Sequence, residues 1–109
     1  MLTEFGIEAK LKREVEKRGG MCMKWVSPGT SGVPDRIVLL PGNRVYFVEL
    51  KSPKYKRATS SELQKSMHGK LKHLGCRVWV IKEPEQLYSF LKIVDHGKKK
   101  EIRTDGDSI

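Results

Sequence analysis

The chain has 109 residues, 38% of them hydrophobic, which suits one domain with a modest core. Lysine and arginine number 22 against 13 acids, a net charge of +9, and a field of that sign draws polyanions, nucleic acid first among them. No run approaches the ~18 apolar residues of a membrane span, and Met1-Leu2-Thr3-Glu4-Phe5-Gly6 lacks a signal-peptide pattern, so a cytoplasmic protein is expected.

Residues 3–18 predict an amphipathic helix, with Thr3 as N-cap, Gly19-Gly20 as the stop, and Ile7, Leu11 and Val15 as the buried stripe. Glu8 stands three residues before Leu11 and lies on or beside that stripe. A carboxylate there costs free energy unless it is paired or bound to metal; Lys12, at i+4, is the plain pairing alternative.

Residues 21–26 predict a strand, with Met21, Met23 and Trp25 on one face and Cys22, Lys24 and Val26 on the other. Lys24 interrupts an apolar face and is expected to reach a phosphate. Residues 27–34 form a loop rich in Gly, Ser and Pro, without the GxxxxGK[ST] pattern of a P-loop. It would aim Asp35 and bring Ser27 and backbone amides near a phosphate, or serve as a plain surface connection.

Asp35 precedes a strand at 37–40, and the turn Leu40-Pro41-Gly42-Asn43-Arg44 folds it back onto a second strand, 45–51. Alternation puts Glu49 and Lys51 on one face and Val48 and Leu50 on the other, and the hairpin can bring Asp35 beside Glu49. Two carboxylates so close repel, so one takes a proton or a cation sits between them. Mg²⁺ suits such oxygen ligands; a solvated Glu-x-Lys pair is the bland alternative. Lys51, Lys54, Lys56 and Arg57, with Tyr55 among them, make the following loop basic enough to guide phosphates.

A capping box, Thr59-Ser60-Ser61-Glu62, opens a second helix ending at Gly75, with Leu63, Met67, Leu71 and Leu74 as its expected buried stripe. Gln64 borders the core side, and His68, one turn further along the same edge, is expected at nucleic acid; no other His or Cys stands at zinc-ligand spacing from it. Residues 76–81 predict a strand, and Pro84 starts a third helix through Leu87, Phe90, Leu91 and Val94. Periodicity ends near His96, so residues 1–95 are read as the domain and 96–109 as a basic, polar, flexible tail. Cys22 and Cys76 fit neither a CxxC metal knuckle nor a disulfide framework and are expected as buried free thiols.

Pro34-Asp35 followed by Glu49-Leu50-Lys51 resembles the PD-(D/E)XK nuclease signature. The fuller ordered set Ser27-Pro28-Gly29, Gly32-Val33-Pro34-Asp35-Arg36, Glu49-Leu50-Lys51 and Gln64 is similar to the VRR-NUC (virus-type replication-repair nuclease) branch, across the chain from about Glu8 to about Phe90. The resemblance implies an α/β restriction-endonuclease-like core, αβββαβ(α), with a small mixed sheet flanked by helices. It implies a metal-dependent endonuclease on DNA, with Asp35, Glu49 and the Leu50 carbonyl holding Mg²⁺ or Mn²⁺ and Glu8 completing the site directly or through water. Lys51 would orient or deprotonate the attacking water, and Gln64 would place that water or the lysine. Lys24, Ser27, Arg36, Lys54, Lys56, Arg57 and His68 are the expected DNA contacts, with no organic cofactor. Stand-alone relatives resemble Holliday-junction-resolving nucleases, so a homodimer cutting branched DNA in repair, of phage or prophage origin, is expected. Two other readings stay open: a non-catalytic basic nucleic-acid-binding module and an RNA-directed nuclease.

Overall fold

Ile7, Leu11 and Val15 lie on one side of helix α1 (Glu4–Lys17) and are essentially inaccessible to solvent, which fixes how that helix meets the sheet. The structure, a computed structural model, describes residues 4–51 and 62–101. The elements after α1 are β1 (Met21–Lys24), β2 (Arg36–Leu40), β3 (Arg44–Leu50), α2 (Glu62–His73), β4 (Arg77–Ile81) and α3 (Pro84–Glu101). They form the expected α/β architecture, a mixed four-stranded sheet in the order β1-β2-β3-β4. The first three strands run antiparallel and β4 runs parallel to β3, the link between them carrying α2. The β2–β3 hairpin turns through Gly42 and Asn43, both at positive φ (87° and 59°), which an asparagine tolerates and a glycine adopts freely.

Alternation along the strands decides the two faces. Val38, Leu40, Tyr46, Val48, Leu50 and Ile81 point to the face covered by α1 and α3, where Leu87, Phe90, Leu91 and Val94 close the core. Phe90 stands edge-on to both Tyr46 (5.2 Å between centroids) and Trp79 (5.5 Å). Two arginines fasten this layer. Arg44, 2% exposed, donates to the carbonyls of Pro41 (2.9 Å) and Val94 (2.5 Å), tying the hairpin to α3. Arg18 grips Asp95 through two nitrogens (2.7 and 3.0 Å) and ties the end of α1 to the same helix.

The opposite face carries Ile37, Leu39, Val45, Phe47 and Glu49, and α2 packs there against β4. That packing corrects the expected stripe. Leu63 and Leu74 are 61% and 76% exposed, while His68 is the buried residue of the helix. The row facing the sheet is Gln64, Met67, His68 and Leu71, an i, i+3, i+4, i+7 set. Side-chain bonds from Gln64 to β3 and to Lys51 set that rotation, leaving Leu63 one residue off the row. Helix α3 continues to Glu101, past the loss of apolar period at His96. Cys22 is buried, Cys76 half-buried, and both are free thiols. No helix among the described residues is long and apolar enough to cross a membrane. Thr3, residues 59–61 of the capping box and residues 102–109 of the tail lie outside the described residues.

The rotation of α2 has a direct consequence for stability. Leu63→Lys and Leu74→Lys should each stay within about 0.5 kcal/mol of wild type in urea unfolding, whereas Leu11→Ala should cost roughly 2–5 kcal/mol. A loss of the larger size at Leu74 would place that side chain on the sheet.

Candidate active site

The β2–β3 register pairs Arg36 with Val48; one residue further, Asp35 stands opposite Glu49 at the end of the hairpin remote from its turn. The main chain fixes Asp35 at both ends: its carbonyl accepts from Trp25 N–H (2.9 Å), and its Oδ2 accepts from Leu50 N–H (2.9 Å). Gly32, at φ +86°, packs so closely on the first turn of α2 that a Cβ would meet the Leu63 carbonyl at 2.5 Å. The loop bearing Asp35 and the helix bearing Gln64 are thereby held together.

Glu49 is 2% exposed. Its Oε2 accepts from Gln64 Nε2 (2.6 Å) and faces Lys51 Nζ (3.3 Å), while Lys51 Nζ donates to Gln64 Oε1 (2.5 Å). The amide bridges the acid and the amine, with its N–H on the carboxylate and its carbonyl on the ammonium. Glu49 Oε1 is buried and accepts no hydrogen bond among the described residues. Burial, and next the charge on Asp35, push the Glu49 carboxyl up to about 7, against the pull of Lys51 and Gln64. A buried carboxylate oxygen with nothing to accept from, beside a second acid, is what a hard cation satisfies. The donors present fit such an ion: Asp35, Glu49 and the Leu50 carbonyl, with water or phosphate completing the set. Among the described residues no three His, Cys, Asp or Glu side chains cluster closely enough to hold a metal by themselves.

Beside this pair a cleft of about 300 Å³ opens, lined by Glu8, Lys24, Trp25, Asp35, Arg36 and Leu50. Glu8 enters it from α1 with its Oε2 held by Arg36, through Nε at 3.1 Å and through Nη2. Trp25 leans on Phe47 (5.2 Å between centroids) and forms a second wall.

No family model matches the chain. It is 42% identical over 95 residues to "Putative nuclease p44" of Acyrthosiphon pisum secondary endosymbiont phage 1, a match covering 87% of this chain and 98% of that protein. A solved structure described as a VRR_NUC domain superposes with a TM-score of 0.73 at 28% identity, covering 84% of this chain and 97% of the other. The chain belongs to the VRR-NUC nuclease family.

The fold brings Asp35, Glu49, Lys51 and Gln64 of the VRR-NUC motif into one cluster, and Glu8 lines the cleft that Asp35 and Leu50 also line. Lys24 is exposed on the cleft wall, and Ser27 is half-buried in the neighbouring loop. Arg36 is 8% exposed and faces Glu8. His68, 7% exposed, lies beneath α2, so its ring presents little surface to a nucleic acid; burial, then Lys72 and Lys51, pull its pKa down. Lys54, Lys56 and Arg57 lie outside the described residues. Sequence reasoning weighed Lys12 as the partner of Glu8 and missed Arg36. The signal was present: alternation from Val38 and Leu40 puts Arg36 on the core face, where a guanidinium needs an acid.

The raised Glu49 pKa fixes a sign. A carboxyl near 7 in the fold against 4.5 unperturbed binds a proton that the unfolded chain has released. Its contribution to stability is full below about 4.5 and lost as pH rises through about 7. In metal-free buffer the melting temperature of wild type relative to Glu49→Gln should therefore fall between pH 5 and pH 8. A constant gap between the two proteins would mean that Glu49 is ionised throughout.

Proposed function

We propose that the protein is a Mg²⁺- or Mn²⁺-dependent endonuclease that hydrolyses DNA phosphodiester bonds and acts as a homodimer on branched DNA of the four-way-junction kind. The observation that carries the chemistry is the buried Glu49 with a bare Oε1, opposite Asp35 and joined through Gln64 to Lys51. Asp35, Glu49 and the Leu50 carbonyl would hold the ion. When bound, a divalent ion lowers the pKa of a coordinated water and offsets charge growing on the scissile phosphate.

Lys51 is the residue nearest the reacting water in this reading. Gln64 fixes Nζ beside the carboxylates, where it can orient the attacking water and balance negative charge in the transition state. Glu8, which lines the same cleft as Asp35 and Leu50, would reach such a water from α1. Lys24, on the cleft wall, and Ser27, in the loop that follows it, would contact a phosphate strand entering there, and the basic residues Lys54, Lys56 and Arg57, which follow Lys51 in the sequence, would add phosphate contacts. The site is read as working in the cytoplasm of a bacterial or phage-infected cell.

Support for a dimer comes from the face that α2 leaves open. Cross-strand rows there run Met21-Leu39-Val45 and then Met23-Ile37-Phe47, ending at the row of Asp35 and Glu49. Met21, Met23 and Val45 are 55%, 39% and 38% exposed, an apolar patch that a second copy would cover isologously. Paired sites in one assembly suit a substrate with two strands to cut.

Labelled four-way junction, linear duplex, single-stranded DNA and RNA, incubated with Mg²⁺, Mn²⁺ or EDTA, test the chemistry. Metal-dependent cutting of the junction is expected, with Asp35→Asn and Lys51→Ala reduced by at least roughly a hundredfold and unchanged in circular dichroism. Undiminished turnover by either variant rejects these roles. Salt-sensitive binding without cleavage under every metal would make the protein a binding module. Cutting of RNA alone would redirect the substrate. Separately, light scattering should give a dimer at micromolar concentration and a monomer for Met21→Glu/Val45→Glu; a wild-type monomer would remove the dimer.

A further inference from the structure

Arg36 is the least exposed cation lining the cleft, and its burial does not suit the DNA contact expected of it. It lies on the core face of β2, next to Val38, where an unpaired guanidinium would be costly. Its Nε and Nη2 both bond Glu8, and both land on the same oxygen, Oε2. Arg36 leaves the other oxygen of Glu8 uncommitted, and Glu8 lines the cleft together with Asp35 and Leu50. Glu8 is 28% exposed at its side chain, so without the grip it could turn into solvent at little cost. Arginine's planar fork is suited to this: two nitrogens in a fixed geometry pin one carboxylate oxygen in place and leave the second uncommitted, which a single lysine ammonium does less well.

We infer that Arg36 is a positioning residue, holding the Glu8 carboxylate with its free oxygen turned into the cleft, toward water on the divalent ion that Asp35 and Glu49 would bind. This rests on the metal-dependent nuclease reading of the same cleft. It gives Arg36 a role distinct from contact with DNA phosphate, since the guanidinium faces an acid and is nearly closed to solvent.

The inference predicts a sign opposite to simple electrostatics. Removing a positive charge beside a cation site should strengthen cation binding. If Arg36 acts by aiming Glu8, Arg36→Met should weaken binding instead, by about tenfold, as is usual when the group orienting a metal's surroundings is lost. The experiment is Mn²⁺ titration by calorimetry, without DNA, on wild type, Arg36→Met, Glu8→Gln, the double variant and Arg36→Lys, with thermal melts and DNA affinity in EDTA alongside. Arg36→Met and Glu8→Gln should each weaken Mn²⁺ binding, the double variant should be no weaker than Glu8→Gln alone, and Arg36→Lys should recover only part. Cleavage rates should show the same non-additivity.

Tighter Mn²⁺ binding in Arg36→Met would overturn the inference in favour of a bystander charge. A lower melting temperature with unchanged Mn²⁺ affinity would make Arg36 a structural residue only. A loss of DNA affinity in EDTA that persists in the Glu8→Gln background would make it a phosphate contact. Failure of the nuclease reading looks different: wild type itself would neither bind Mn²⁺ nor cut DNA.

Discussion

The structure is organised around an electrostatic conflict at the open end of one hairpin. Asp35 and Glu49 face each other across β2 and β3, Glu49 almost fully out of water. Neither burial nor a neighbouring acid favours the charged form, and both push Glu49 toward holding a proton near neutrality. The surrounding groups compensate only in part. Asp35 takes a main-chain N–H from Leu50, and Glu49 takes the Gln64 amide and the Lys51 ammonium on a single oxygen. The remaining oxygen receives nothing among the described residues. A fold that keeps such a group buried retains a local cost, and in natural proteins costs of this kind concentrate where chemistry is done.

The remainder of the molecule holds that conflict in place. The α1–α3 side of the sheet is a dry, well-interlocked layer, closed by Phe90 against Tyr46 and Trp79 and fastened by Arg44 and Arg18. The β2–β3 register and the Leu50 N–H bond to Asp35 keep the two acids opposite each other. The other side is lightly covered. Helix α2 meets the sheet through a row containing an amide and an imidazole, and the apolar rows across β1 and β2 are left partly open. Apolar burial is therefore concentrated on one face, and the Glu49–Gln64–Lys51 cluster lies on the other.

The same asymmetry explains what the sequence disclosed. The hairpin, the alternation placing Glu49 with Lys51, and the stripes of α1 and α3 follow from apolar periodicity, because those elements are held by apolar burial. The four motif residues were legible because their order along the chain is distinctive. Helix α2 was misoriented for a physical reason: its leucines suggested a stripe through Leu63 and Leu74, but polar bonds from Gln64 set its rotation, and periodicity is blind to them. His68 moved from surface to interior with that rotation. The pairing of Glu8 with Arg36 spans 28 residues and two elements, beyond the i+4 neighbours that local reasoning reaches.

Helix α2 is fastened to the site by polar contacts from its first turn. Gln64 donates to Glu49 and accepts from Lys51 at once, and its amide serves both whether or not Glu49 carries a proton, because a neutral carboxyl keeps an acceptor oxygen. The loop before β2 is tied to the same helix, since Gly32 sits against the Leu63 carbonyl. Three contacts thus join the parts of the site: Asp35 to the Leu50 N–H, Glu49 to the Gln64 amide, and Gly32 to the first turn of α2.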